Sequence, residues 1–354
     1  LNIGITGCQG FIGYHTYYNL KFTTDWNIIK LDKDFANDKR IKTCDWIIHL
    51  AGVNRGSDTE LYDTNIDLAN KLINSVNKKC NIIFSSSTYK HGKYGEAKYE
   101  CEGIFEKWSL ATNNKFYRHR IPNVFGPFCK PNYNSFVATF CDDVVNNRTP
   151  KILRDSEVSL VYVQDVVEQF KLCIQGKSFF YKTNIVKVSD VAKKLERYKK
   201  MYFEKNKIPN LINDFDRNLF NTFLSYLSDE QRLLSTKLHD DERGSLVELL
   251  RNDSSESQMF FSTTNPSHVR GQHFHMHKFE RFCVIKGRAK ISMRKIGSEK
   301  IIEYEVSGDE IKLFDTPIMF THNIKNVGND EMVAVFWVSE LLDKNDNDTY
   351  WENV

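Results

Sequence analysis

The chain has 354 residues, 41% of them hydrophobic and 27% charged, with a formal net charge of +3. This is the profile of an ordinary globular protein of two-domain length, and so small a charge argues against nucleic acid as a partner. No apolar run reaches the roughly 18 residues that span a bilayer, and the eight cysteines are scattered without a CxxC pair, which suits reduced thiols in the cytoplasm rather than a disulfide framework.

The chain opens directly on a β-like run, which predicts no signal peptide. Residues 2–13 read NIGITGCQGFIG. Ile3 to Thr6 predicts a strand, then come Gly7, Gly10 and Gly13, and an amphipathic segment follows from Tyr14. This GxxGxxG differs from GxGxxG, but the mechanics are alike: Gly7 for a tight turn, Gly10 for close approach of a pyrophosphate, Gly13 for close helix packing. The start of the helix, at Phe11 and Ile12, then turns backbone N–H groups toward the phosphates.

The next strand, WNIIKLD, ends at Asp32. A carboxylate there bonds adenosine ribose hydroxyls and favours NADH, or it caps a loop; Lys33 beside it suits the 2′-phosphate of NADPH. Two further strands are predicted in DWIIHLAG (45–52) and NIIFSSS (81–87). Leu50, Ala51 and Gly52 close the first of these and leave room for a dinucleotide. Strands alternating with helices imply a doubly wound, Rossmann-like parallel sheet with ligands at the carboxyl ends of its strands.

The chemistry is expected in SSSTYKHGKYGEAK (85–98). Tyr94 and Lys98 lie four apart on a predicted helix and so share a face. A nearby ammonium lowers the pKa of a phenol that protonates a carbonyl oxygen. Ser87 is the expected hydroxyl beside that carbonyl, with Ser86 and Thr88 behind it.

With Asn65 in TNIDLAN, RIPNVFG (120–126) and LVYVQDVV (160–167), this set resembles the extended short-chain dehydrogenase/reductase family over roughly residues 1–230. The resemblance implies that Ser87, Tyr94 and Lys98 assist hydride transfer between nicotinamide and a sugar carbon. Lys98 would also hold the nicotinamide ribose, and Arg120 and Asn123 would lie on the substrate side.

Residues 194–233 read as helical pieces separated by Pro209, and the boundary is placed at 236. This gives a reductase domain over 1–236 and a second domain over 237–354. From Leu246 onward, short strands with turn signals at Asn265-Pro266, Gly287, Gly308 and Gly328 predict an antiparallel barrel or sandwich.

Within it RGQHFHMHKFE (270–280) places His273, His275 and His277 on one face of a strand. Glu280 follows, and His322 lies on a later strand. Three imidazoles and a carboxylate suit Zn²⁺ or another first-row ion. GQHFHMHKFERFCVIKG (271–287) and GDEIKLFDTPIMFTHNIKN (308–326) resemble the two cupin motifs. By that resemblance His273, His275, Glu280 and His322 are ligands and His277 is an extra; Met319 stands where the family usually has glycine. DDERGSLVEL (240–249) and VRGQH (269–273) also resemble metal-free cupins that epimerise deoxy-4-keto-sugar nucleotides. There His273 would be a general base, and Arg243 and Arg270 would hold the diphosphate. The proton-donating tyrosine of those enzymes has no counterpart, Phe336 or Trp337 falling near its place.

The whole chain resembles bifunctional capsular-polysaccharide enzymes that join a reductase to a zinc cupin. HLAGVNRG, GPFCKPNYNSFVATFC, EYEVSGDE and the tail LLDKNDNDTYWENV carry that likeness through both domains. It implies a UDP-2-acetamido-2,6-dideoxy-4-hexulose as substrate, C4 reduction with NADPH and C3 epimerisation in the cupin. A homodimer with no membrane or nucleic-acid partner is expected. A reductase with a structural or dimerising cupin is one alternative, and a dinucleotide-sensing regulator without turnover is another.

Overall fold

The computed structural model describes residues 1–177, 180–236, 238–241, 244–247, 251–252, 257–340 and 347–354. They form two compact units that do not follow chain order. One comprises residues 1–125 and 157–186, the other 126–156 and 187–354.

In the first unit β1 (Asn2–Thr6) leads into α1 (Phe11–Thr23), followed by β2 (Asn27–Leu31), β3 (Trp46–His49) and α2 (Asp58–Ser75). Then come β4 (Asn81–Ser87), α3 (Gly92–Thr112) and β5 (Phe116–Ile121). The five strands pair in parallel in the order β2-β1-β3-β4-β5. The strands are apolar on both faces because both are covered. Ile3, Ile5 and Ile48 pack on one side, Ile47, Ile82 and Phe84 on the other with Leu72 of α2 and Phe105 of α3. Local signals set the helix ends. Ser57 and Glu60 form a reciprocal capping box at the start of α2, and Asn113 ends α3 in a left-handed conformation at φ +56°.

The chain continues through β6 (Asn123–Phe125), α4 (Phe136–Val145), β7 (Glu157–Tyr162), α5 (Val163–Ile174) and β8 (Asn184–Lys187). Strands β6, β7 and β8 make a small sheet. Val166, Val167 and Phe170 of α5 complete the core on the Ile48 side of the main sheet.

The second unit contains α4, α6 (Val188–Lys199), a π-helical turn at Lys200–Glu204, β9 (Lys207–Ile208), α7 (Asp214–Leu224) and β10 (Leu233–Ser235). Short strands β11 (Leu238–Asp241), β12 (Gly244–Val247) and β13 (Arg251–Asn252) follow. The remainder is antiparallel: β14 (Gln258–Thr264), β15 (Val269–Phe274), β16 (Glu280–Lys286), β17 (Arg288–Lys295) and β18 (Ile301–Ser307). After them come β19 (Lys312–Thr316), β20 (Phe320–Asn326), β21 (Met332–Val338) and β22 (Tyr350–Trp351). They form two five-stranded sheets, β10-β19-β16-β21-β14 and β18-β17-β20-β15-β22. Phe282, Phe314 and Phe336 from the first meet Ile291, Met293 and Ile324 from the second in one core. This is the cupin-type barrel expected from the sequence. Its predicted turns fall between strands, with Gly287 at φ +85° in the one-residue turn from β16 to β17.

Buried ionic groups tie the helices of this unit to its barrel. Arg281 and Asp315, both buried, pair through two hydrogen bonds of 2.6 and 2.8 Å. The Tyr202 hydroxyl donates to the same carboxylate, and Asn206 accepts from the guanidinium at 3.1 Å. Among the described residues no helix is long and apolar enough to cross a membrane.

Candidate functional sites

The strand order of the first unit reverses between β1 and β3, and their carboxyl ends flank the crevice where such sheets bind ligands. Gly7 turns at φ +73°, and a Cβ on it would lie 2.7 Å from the Ala51 amide nitrogen. A Cβ on Gly13 would lie 2.0 Å from the Gly7 carbonyl oxygen, so only glycine lets α1 start this close to the turn. Gly10 is the N-cap of α1, with Phe11 and Ile12 in its first turn. The Thr6 hydroxyl accepts from the Leu50 and Ala51 amides at 3.2 Å and lies 2.8 Å from His49 Nδ1. That bridge holds the two strand ends together. Asp32 and Lys33 are exposed just past the end of β2, whose Leu31 pairs with Thr6. The bare backbone, the helix start and the exposed carboxylate fit a dinucleotide.

Lys98, on α3, is buried and donates to the Ser85 carbonyl at 2.9 Å. Its ammonium lies 5.7 Å from the centre of the Tyr94 ring. A Cβ on Gly52 would come within 3.4 Å of it. Burial pulls the Lys98 pKa down to about 8 and pushes the half-buried Tyr94 phenol up. Asn65 of α2 holds the neighbouring loop, donating to the Val53 carbonyl at 2.8 Å and accepting from its amide at 3.1 Å.

A cleft of about 170 Å³ opens beside this pair, lined by Ser86, Ser87, Tyr89, Lys90, Gly95, Lys98, Tyr99, Glu102 and Arg120. The structure thus brings Ser87, Lys98 and Arg120 to one cleft, with Tyr94 one helical turn before Lys98 and outside the lining. The three hydroxyls differ. Ser86 is buried and bonds Glu102 at 2.6 Å, Ser87 is half-buried and accepts from the Tyr89 amide at 3.0 Å, and Thr88 is exposed. Arg120 grips the buried Glu102 carboxylate through two bonds of 3.0 and 2.7 Å. Burial opposes charge on Glu102, but Arg120 and Ser86 outweigh it and hold the carboxyl below the usual range. Asn123 is exposed on β6 and donates to the Ser159 carbonyl at 3.3 Å.

In the second unit His273, His275, Glu280 and His322 each offer a ligand atom, all within 4.8 Å of one another. His273 and His322 face each other across β15 and β20. Glu280 opens β16, with one oxygen 3.0 Å from His322 Nε2 and the other 3.3 Å from His275 Nε2. His275 Nε2 has no hydrogen-bond partner of acceptable geometry although it is buried; burial opposes its charge, but Glu280 and Asp348 raise its pKa, and a metal ion would take the place of that proton. Burial, then the neighbouring imidazoles, pulls His273 down to about 3. Burial opposes charge on Glu280 too, yet His275 and His322 hold it well below the ordinary carboxylate range. The donor set and the orphaned nitrogen fit a first-row ion.

The expectation of one strand carrying three alternating histidines does not hold. β15 stops at Phe274 after a bulge, where Gly271 and Gln272 take φ +93° and +64°. His275 therefore reaches the cluster from a bend. His277 turns away to Glu340 at 2.9 Å. Met319 adopts φ +60°, which explains a family preference for glycine there, and its amide donates to the His275 carbonyl at 2.8 Å. Arg270 donates to the Thr263 carbonyl and the Thr264 hydroxyl at 2.9 and 3.1 Å. Arg243 lies outside the described residues. Phe336 stacks on Phe260 at 4.9 Å, and Trp337 is buried.

Glu102, Thr6 and Asp348 were not anticipated. Glu102 and Thr6 are ordinary in their sequence contexts, and no local pattern marks them as inward-facing.

A doubly wound unit with a glycine turn and a Tyr/Lys pair, joined to a cupin-type barrel with a candidate metal cluster, defines a two-part nicotinamide-dependent protein. Residues 3–188 match the NAD dependent epimerase/dehydratase family, and residues 239–350 match the polysaccharide biosynthesis C-terminal domain. The chain belongs to the NAD dependent epimerase/dehydratase family. It is 30% identical to a UDP-2-acetamido-2,6-beta-L-arabino-hexul-4-ose reductase of Pseudomonas aeruginosa, over 99% of this chain and 98% of that one. It is also similar to the crystal structure of the capsular polysaccharide assembling protein CapF of Staphylococcus aureus, with 32% identity, a TM-score of 0.62 and full coverage of both chains. The Bordetella bronchiseptica enzyme WbmF, solved with NAD⁺, shares the fold at 13% identity and a TM-score of 0.50, covering 63% of this chain and 92% of that one.

Proposed function

We propose that this chain reduces the C4 ketone of a UDP-2-acetamido-2,6-dideoxy-4-hexulose with NADPH and epimerises the same ketose at C3. The carrying observation is Lys98, buried at the carboxyl edge of the sheet with the Tyr94 ring 5.7 Å away. End-to-end similarity to a UDP-hexulose reductase supports the choice of substrate. The reading assigns the reductase work to residues 1–236 and the epimerase work to residues 237–354.

A dinucleotide held with its pyrophosphate at Gly7, Gly10 and Gly13 would supply the hydride. Tyr94 donates a proton to the C4 oxygen, the Lys98 ammonium makes that phenol more acidic, and the Ser87 hydroxyl hydrogen-bonds the same oxygen. Arg120 and Asn123 orient the sugar nucleotide. Lys33 beside the end of β2 suits the 2′-phosphate of NADPH, and Asp32 suits the unphosphorylated ribose of NADH. Comparing kcat/KM for the two reductants decides that point.

In the barrel, a C4 ketone acidifies the C3 proton because the resulting anion is an enolate. Zn²⁺ held by His273, His275, Glu280 and His322 would supply a Lewis acid for that anion. In the second reading His273 is itself the base, as its half-buried place at the mouth of the cluster permits, and Arg243 and Arg270 hold the diphosphate. Edge strand β14 leaves Met259 and Phe261 exposed, which supports a homodimer. The reading puts the enzyme in the cytoplasm, which its eight free, buried cysteines support.

NMR of the product formed by the full-length protein in D₂O tests the whole reading. Deuterium at C3 and an alcohol at C4 are expected. Chelation should stop the exchange while NADPH oxidation continues. Tyr94→Phe should lower oxidation by about 10²–10⁴-fold; unchanged turnover in Y94F, or no exchange with metal restored, would overturn the corresponding half.

A further inference from the structure

We infer that Asp348, in the C-terminal strap, is a positioning residue of the metal centre that sets the tautomer and aim of His275. The inference rests on the metal reading above. Asp348 is 2% exposed and lies at φ +40°. Its carboxylate accepts three consecutive amides, from Met276 at 2.9 Å, His277 at 3.0 Å and Lys278 at 2.9 Å. Those residues form the bend between β15 and β16 that carries His275 into the cluster. A carboxylate seated on successive N–H groups is a strong anchor for such a bend.

The same residue acts on His275 through its main chain. The Asp348 carbonyl oxygen is the hydrogen-bond partner of His275 Nδ1. A carbonyl only accepts, so Nδ1 must carry the proton. In the neutral ring that a metal takes up, the lone pair is then on Nε2, the nitrogen 3.3 Å from Glu280. One buried residue thus fixes both the path of the loop and the nitrogen offered to the metal.

The strap is held where this requires. Tyr350 pairs with Phe274 and Trp351 with His273 on β15, and the Glu352 amide donates to the Gln272 carbonyl at 2.9 Å. The Thr321 hydroxyl donates to the Glu352 carbonyl. Residues far along the chain therefore complete the first ligand strand.

The test uses the full-length protein, with Asp348→Gly and Asp348→Asn variants. Glycine keeps the left-handed backbone but empties the amide nest, whereas asparagine keeps the backbone and one acceptor. Near-UV circular dichroism of the metal-free proteins checks folding. Zn²⁺ affinity is then read by competition with a chromophoric chelator, and ligand geometry by the visible spectrum of the Co²⁺ form. D348G should bind Zn²⁺ roughly 10- to 100-fold more weakly than wild type with an altered Co²⁺ spectrum, and D348N should recover only part of the loss, staying measurably weaker than wild type with a shifted spectrum. A folded D348G with affinity within about twofold of wild type and a superimposable Co²⁺ spectrum would overturn the inference alone. If D348G does not fold, D348N decides: a weaker Kd with a shifted spectrum supports the assignment, and neither change overturns it. Wild-type protein that takes up neither ion would overturn the metal reading and this inference together.

Discussion

The Lys98 ammonium donates to the Ser85 carbonyl at 2.9 Å, joining helix α3 to the strand that ends in Ser87. A buried cation with this partner is held close to the Tyr94 ring and pays in desolvation, which is why its pKa falls to about 8. The consequence is a titration inside the working range of an enzyme.

Reduction should therefore weaken as pH rises through about 8, because the phenol loses its cationic neighbour. A pH–rate profile of Lys98→Arg, whose guanidinium stays charged, should lack that limb even if its rate is lower. Stability moves the other way. Unfolded lysine keeps its proton up to about 10.5, so between about 8 and 10.5 the unfolded chain binds more protons and stability rises with pH. Unfolding midpoints of the cofactor-free protein across that window check the sign.

Glu102 and Arg120 should respond unequally to removal. The Glu102 side chain is 3% exposed and that of Arg120 is 40% exposed. Arg120→Ala leaves the buried carboxylate with Ser86 and, at 3.6 Å, Arg118, and should cost about 3 kcal/mol. Glu102→Gln leaves the guanidinium facing water and should cost about 1 kcal/mol. Both should raise KM for the sugar nucleotide, since both groups line the cleft. Equal destabilisation in denaturant unfolding would contradict the burial argument.

The glycine turn offers a separable pair. Gly13→Ala forces a Cβ to within 2.0 Å of the Gly7 carbonyl and should lower both thermal stability and dinucleotide affinity. Gly10→Ala meets that oxygen at 3.3 Å and should leave the fold nearly intact. Its methyl would still stand where a pyrophosphate approaches, so cofactor titration should show weaker binding.

Asp315→Ala leaves the buried Arg281 charge without its carboxylate and should destabilise the second unit by about 3–5 kcal/mol. The double variant Arg281→Met with Asp315→Leu should regain most of that loss. Calorimetry of the three proteins tests the asymmetry.

Much of this architecture was readable from the residues. Apolar runs such as WIIH belong to strands buried on both sides, and the glycine spacing announced the first turn, because both depend on conformations a few residues long. The barrel turns followed for the same reason. The histidine stretch misled in one respect. Strict alternation would have put both His275 and His277 beside His273, but β15 ends at Phe274 and the bend after it brings only His275 into the cluster. His277 consequently answers to Glu340.

By itself the amino-acid order determined the two architectures, the residue types available for hydride chemistry and metal ligation, and the order in which they occur. Only tertiary structure decided that Ser86 serves Glu102 while Ser87 stands at the cleft, and that Asp348 aims a histidine 73 positions away. The physical reason is one of range. Backbone preferences act over a turn or a strand, whereas satisfying a buried polar group depends on whichever segment the completed fold brings within about 3 Å.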